Sequence, residues 1–151
     1  MKNYLSAFLL LTGLVATTAC SKKDDATPAP LALSGTLNGS QEVPAITTSA
    51  TGAVTGTYDT KSMVLTYSVT FSGLAPTSGH FHMGTPTTPM GDVALSFAKN
   101  NSDQTAFVSP ITGTATLTSA QATALVGNSF YANLHSVSYP GGEIRSQVTV
   151  K

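Results

Sequence analysis

The chain has 151 residues, enough for one domain with a real core once any leader is removed. Only 9% of them are charged and the formal net charge is zero, so nothing offers the basic patch that a nucleic-acid partner would need. An apolar fraction of 41% argues against disorder, and the abundance of Thr, Ser, Gly and Val favours short strands and turns over helices.

Residues 1–19 combine a basic start at Lys2 with an uncharged stretch whose apolar heart, Leu5 to Ala16, is short for a permanent bilayer span. This is the pattern of a secretory signal. Leu14-Val15-Ala16-Thr17-Thr18-Ala19-Cys20 followed by Ser21 resembles a bacterial lipoprotein signal, in which Cys20 is acylated and becomes the mature N-terminus. Thr17 stands where that pattern usually has Leu. Cys20 is the only cysteine, so no intramolecular disulfide can form. Residues 20–30 read as the lipidated Cys and a flexible tether, because Lys, Asp and alternating Pro cannot pack. Ser21-Lys22-Lys23-Asp24-Asp25 also resembles the surface-export signal of lipoproteins in Bacteroidetes-type bacteria; a plain solvated linker is the other reading. The expected partner of this end is a membrane, reached through the lipid at Cys20, and the expected location is the bacterial cell envelope, anchored to the outer membrane on its periplasmic or its outer side.

Residues 31–151 form the domain. Leu31 to Leu37 alternates apolar and small residues, the period of a half-buried strand, and Asn38-Gly39 ends it as a turn. Pro44 makes a central strand position improbable for Gln41 to Pro44. Ala50 to Tyr58 is a Thr- and Gly-rich strand, and Asp59 to Ser62 closes a hairpin. Met63 to Phe71 carries the clearest alternation, with Met63, Leu65, Tyr67, Val69 and Phe71 on one face. Gly79 to Met83 is a short strand, Gly84 to Gly91 a Pro- and Gly-rich loop, Asp92 to Ala98 a strand and Lys99 to Thr105 a polar loop. Phe107 to Leu117 reads as a strand bent at Pro110. Thr118 and Gln121 have the spacing of a helix capping box and Gly127 can end the helix, which predicts about two turns. Ser129 to Val150 closes the chain as two strands joined by a turn at Tyr139-Pro140-Gly141-Gly142. The expected fold is all-β, a Greek-key β-sandwich or barrel of immunoglobulin-like or Cu/Zn superoxide dismutase-like type, with one short helix.

Strand parity then sorts the chemistry. His80 and His82 share one face while Phe81 and Met83 share the other. Phe130, Ala132 and Leu134 oppose Tyr131, Asn133 and His135, and Ile144, Val148 and Val150 alternate with Glu143, Arg145 and Gln147. If these strands are neighbours, the three histidines gather with the polar face of Tyr131, Asn133, Glu143 and Arg145 outside the barrel, unless the register slips by one residue. Three imidazoles, His80, His82 and His135, suit Zn or Cu; the bland alternative is hydrogen bonding at a sheet surface. Ring nitrogens within about 3–4 Å of one another would fit coordination. Glu143 and Arg145 read as a structural charge network, extended by Glu42 or Asp92. Met83 and Met90 are candidate soft ligands, although parity turns Met83 inward. No Gly-rich phosphate loop and no G-x-S-x-G elbow is present, and no catalytic residue is assigned.

Four segments in order, Gly35 to Pro44, Gly79 to Gly84, Tyr131 to His135 and Pro140 to Arg145, resemble the motifs of the CHRD domain, named after chordin. The resemblance runs from about Leu31 to the C-terminus; Ser146 in place of a common Gly and a single Pro44 in place of two prolines are departures. It implies an extracellular β-sandwich module with no established enzymatic activity. The growth-factor binding of animal chordin does not transfer to a short tethered chain. Gly79-His80-Phe81-His82 is also similar to the His-x-His strand of Cu/Zn superoxide dismutases, but those enzymes use more histidines, an aspartate and a disulfide, and this chain has three His and one Cys. Two functional expectations follow: a non-enzymatic lipoprotein that binds an unidentified protein or ligand, or a Cu- or Zn-binding domain. A purely structural envelope component is the bland third.

Overall fold

The computed structural model describes residues 28–151. The expected leader, Cys20 and most of the expected tether lie outside the described residues. Nine strands and one helix follow in order: β1 (Leu31–Asn38), a 3-10 turn (Gly39–Gln41), β2 (Thr51–Asp59), β3 (Val64–Ser72), β4 (Ser78–Met83), β5 (Asp92–Ser96), β6 (Ile111–Thr116), α1 (Ser119–Val126), β7 (Phe130–His135), β8 (Ile144–Gln147) and β9 (Thr149–Val150). All pair antiparallel in one sheet of order β5-β4-β7-β8-β1-β2-β3-β6, with β9 against β1. The chain is all-β with one short helix.

This single sheet is curled into a half-barrel. β3 and β4 stand five places apart in the strand order, ~24 Å if the sheet were flat. Yet the rings of Tyr67 on β3 and Phe81 on β4 meet edge to face, their centroids 5.1 Å apart at 89°. Phe97 touches both, at 5.4 Å and 5.0 Å. The inner face therefore closes on itself around these aromatics, with Leu37, Val54, Leu65, Ile111, Leu134 and Ile144 fully buried beside them. At the seam Gly35 admits Ser146: a Cβ there would collide with the Ser146 hydroxyl.

Local chemistry accounts for the connections. Asp59 Oδ1 accepts from the backbone of Lys61 at 2.8 Å and Ser62 at 3.1 Å, closing the β2–β3 hairpin. Thr118 and Gln121 form the complete capping box, and Gly127 caps the other end of α1. One expectation is corrected. Residues 107–110 are not strand, and only Ile111–Thr116 pairs with β3. The Asn100 side chain takes the hydrogen bonds a strand partner would have made: Val108 N donates to its Oδ1 at 2.7 Å, and its Nδ2 donates to the carbonyls of Val108 and Pro110 at 2.7 and 2.9 Å.

The outer surface divides in two. Over β1, β2, β3 and β6 it is a solvated field of hydroxyls such as Ser34, Thr55, Thr57, Thr66, Thr112 and Thr114. Over β4, β7 and β8 four of the corresponding outward side chains are buried, Tyr131 at 1% exposure, Arg145 at 1%, Asn133 at 4% and His82 at 5%, while His80, His135 and Gln147 are half-buried. No helix among the described residues is long and apolar enough to cross a membrane.

Candidate metal centre

The loop from Gly84 to Gly91 covers this second outer face, and the strands hold it by its main chain. Arg145 Nη1 donates to Thr88 O and Nη2 to Thr85 O, both at 2.7 Å. Gln147 Nε2 donates to Gly84 O at 2.9 Å. Gly91 N donates to the Tyr131 hydroxyl at 2.9 Å, and His82 Nδ1 donates to Gly91 O at 2.8 Å. Tyr131 is enclosed on both sides, with the Arg145 guanidinium 3.5 Å from its ring centroid and the His82 ring stacked at 4.9 Å and 7°. Burial pulls Arg145 below the usual guanidinium value, opposed by Tyr131 and the charge of Glu42.

The expected charge network takes another form. Arg145 is held by loop carbonyls, while Glu143 accepts from the Thr48 hydroxyl at 2.7 Å. Glu143 precedes β8, and its amide returns to Leu134 O at 2.8 Å. Glu42 is buried, and desolvation raises its carboxyl from 4.5 to about 7 against the pull of Arg145. Asp92 is exposed at the start of β5.

The three histidines come together as the register dictates. On β4 and β7 the cross-strand partners are His80 with Asn133, His82 with Tyr131, and Ser78 with His135. A bulge in the β4–β5 pairing falls between Phe81 and His82, beside the cluster. His80 Nδ1 lies 3.1 Å from His135 Nε2, and one ring nitrogen from each of the three histidines falls within 4.8 Å of the others. The first pair meets the coordination distance; the full set is somewhat wider and needs imidazole rotation to close on an ion.

Hydrogen bonding sets the tautomers. A carbonyl oxygen can only accept, so His82 carries its proton on Nδ1 toward Gly91 O, and His135 carries its own on Nδ1 toward Pro140 O at 2.9 Å. Both Nε2 lone pairs then point away from these carbonyls. His135 Nε2 takes the proton of His80 Nδ1, whereas His82 Nε2 is buried and has no hydrogen-bond partner among the described residues. Desolvation and the neighbouring imidazoles hold His80 down at about 4, and burial lowers His135; a metal on His80 Nδ1 would require the proton shared with His135 to move to His80 Nε2. An orphaned buried imidazole nitrogen beside two more, with the outer nitrogens of His82 and His135 fixed by carbonyls, fits a metal of the nitrogen-ligand class.

The centre opens into a cavity of about 210 Å³ whose lining includes the three histidines, Met90, Tyr131 and Asn133. The family model of the CHRD domain matches residues 33–148. This chain belongs to the CHRD domain family. No curated protein and no solved structure matches the chain. In this CHRD domain the motif segments named above supply both the histidine strand, Ser78–Met83, and the strands that support it, Phe130–His135 and Ile144–Gln147. Sequence reasoning missed the carbonyls of Thr85, Thr88, Gly91 and Pro140, which every residue type offers alike.

Proposed function

We propose that this CHRD domain is a non-enzymatic binding module of the bacterial cell envelope that holds one Cu or Zn ion on His80, His82 and His135. The observation that carries the reading is His82 Nε2, a buried lone pair without a partner, converging with two imidazoles whose outer or neighbouring nitrogens are already engaged. An imidazole buried only to fill space would have satisfied both nitrogens. Metal analysis of protein purified without a histidine tag, joined to thermal unfolding with each ion added, tests it. Saturation at about 100 times Kd should stabilise the fold by about 2.7 kcal/mol, and His82→Ala should lose that gain. Absence of bound Cu and Zn, with no shift in melting on adding either, would overturn the reading.

The location rests on the leader, whose Cys20 follows a short apolar stretch and precedes a charged, Pro-rich tether. Acyl chains on Cys20 hold the domain at a membrane surface. Cys20→Ser should move the protein from the membrane fraction to the soluble fraction of its native host. Retention of the serine variant in the membrane would exclude the lipid anchor.

A further inference from the structure

We propose that the ion this centre selects is monovalent copper, with the Met90 thioether as fourth ligand. The inference rests on the three-histidine reading above and adds the ion's identity and its remaining donor. Met90 lines the same cavity as His80, His82 and His135. Its side chain is 77% exposed and has no role in the core, so core packing offers no reason for a thioether at this rim. Its backbone, in contrast, is held on both flanks. Arg145 grips Thr88 O at 2.7 Å, and His82 and Tyr131 grip Gly91 O and N at 2.8 and 2.9 Å. A fixed Cα with a free side chain of three rotatable bonds can swing its sulfur over the imidazoles without disturbing the fold.

The donor chemistry distinguishes the ions. Three imidazoles suit zinc and copper alike, but a thioether is a soft ligand that favours Cu(I). No carboxylate lines the cavity among the described residues, and the three histidines bring no negative charge. A divalent ion would leave two uncompensated charges in a partly desolvated site, a monovalent ion one. Charge and softness therefore point the same way.

Competition titration against a chromophoric Cu(I) chelator under reducing conditions reads Cu(I) affinity, and parallel titrations read Zn(II) and Cu(II). Met90→Leu keeps the size and polarity of the rim and removes only the sulfur. It should weaken Cu(I) by roughly tenfold, equivalent to about 1.4 kcal/mol, and leave Zn(II) within about twofold. X-ray absorption of the Cu(I)-loaded protein should show a sulfur neighbour that the Leu variant lacks. If Cu(I) binds equally to wild type and Met90→Leu, the thioether assignment is wrong while the three-histidine site stands. If wild type binds none of the three ions, the underlying site is wrong as well.

Discussion

Glu42 and Arg145 are buried side by side, yet the guanidinium spends its hydrogen bonds on loop carbonyls. Glu42 Oε1 has no hydrogen-bond partner among the described residues. Gly142, at φ +131, leaves the space in which Glu42 and the Asn133 amide approach; a Cβ there would stand 2.6 Å from Glu42 Oε1. A carboxyl raised from 4.5 to about 7 keeps in the folded protein a proton that the unfolded chain has released. Between those two values stability falls as pH rises; below the lower one the effect vanishes, and above the higher one the cost is complete, at most about 3 kcal/mol. Glu42→Gln mimics the protonated form. Denaturant unfolding should find it equal to wild type at pH 4 and more stable at pH 8. Equal losses at both pH values would instead make the Glu42 charge a necessary partner of Arg145.

At the scale of elements, alternation proved the most informative signal. It separated His80 and His82 from Phe81, and Tyr131, Asn133 and His135 from Phe130, Ala132 and Leu134, because a buried sheet face tolerates only one register. Capping and turn chemistry located α1 and the β2–β3 hairpin for the same local reason. The errors arose where tertiary partners decide. Phe107 to Pro110 looks extended in sequence, but Asn100 binds it as a loop from outside its own segment. The polar face of β7 and β8 points away from the core as parity requires, but nothing in Asn133 or Arg145 announces that the loop after β4 will lie over them. Side-chain pattern reports which way a residue points; it does not report what backbone arrives to meet it.

For the whole molecule, the curl depends on contacts between strands that never pair. Tyr67, Phe81 and Phe97 join β3, β4 and the chain after β5 across the interior. Phe81 also lies 5.5 Å from Phe130 and is flanked in its own strand by the two histidines. Phe81→Ala should cost about 3–5 kcal/mol in urea unfolding, since the cavity opens where both halves of the sheet meet. It should also loosen the histidine cluster, whose strand is braced from behind by that ring. A loss below about 1 kcal/mol would show that the strand ladder alone maintains the curl.

The grip on the covering loop has one more consequence. Arg145, Gln147 and His82 hold Gly84, Thr85, Thr88 and Gly91 by carbonyl oxygens, and Tyr131 receives an amide. Such a clamp is blind to side-chain identity, so the positions it leaves outward, Thr87, Pro89 and Met90, can be exchanged without releasing the backbone. Scaffold and rim are thus separable parts: the sheet fixes the three imidazoles, and the outward residues of the loop can change without moving them.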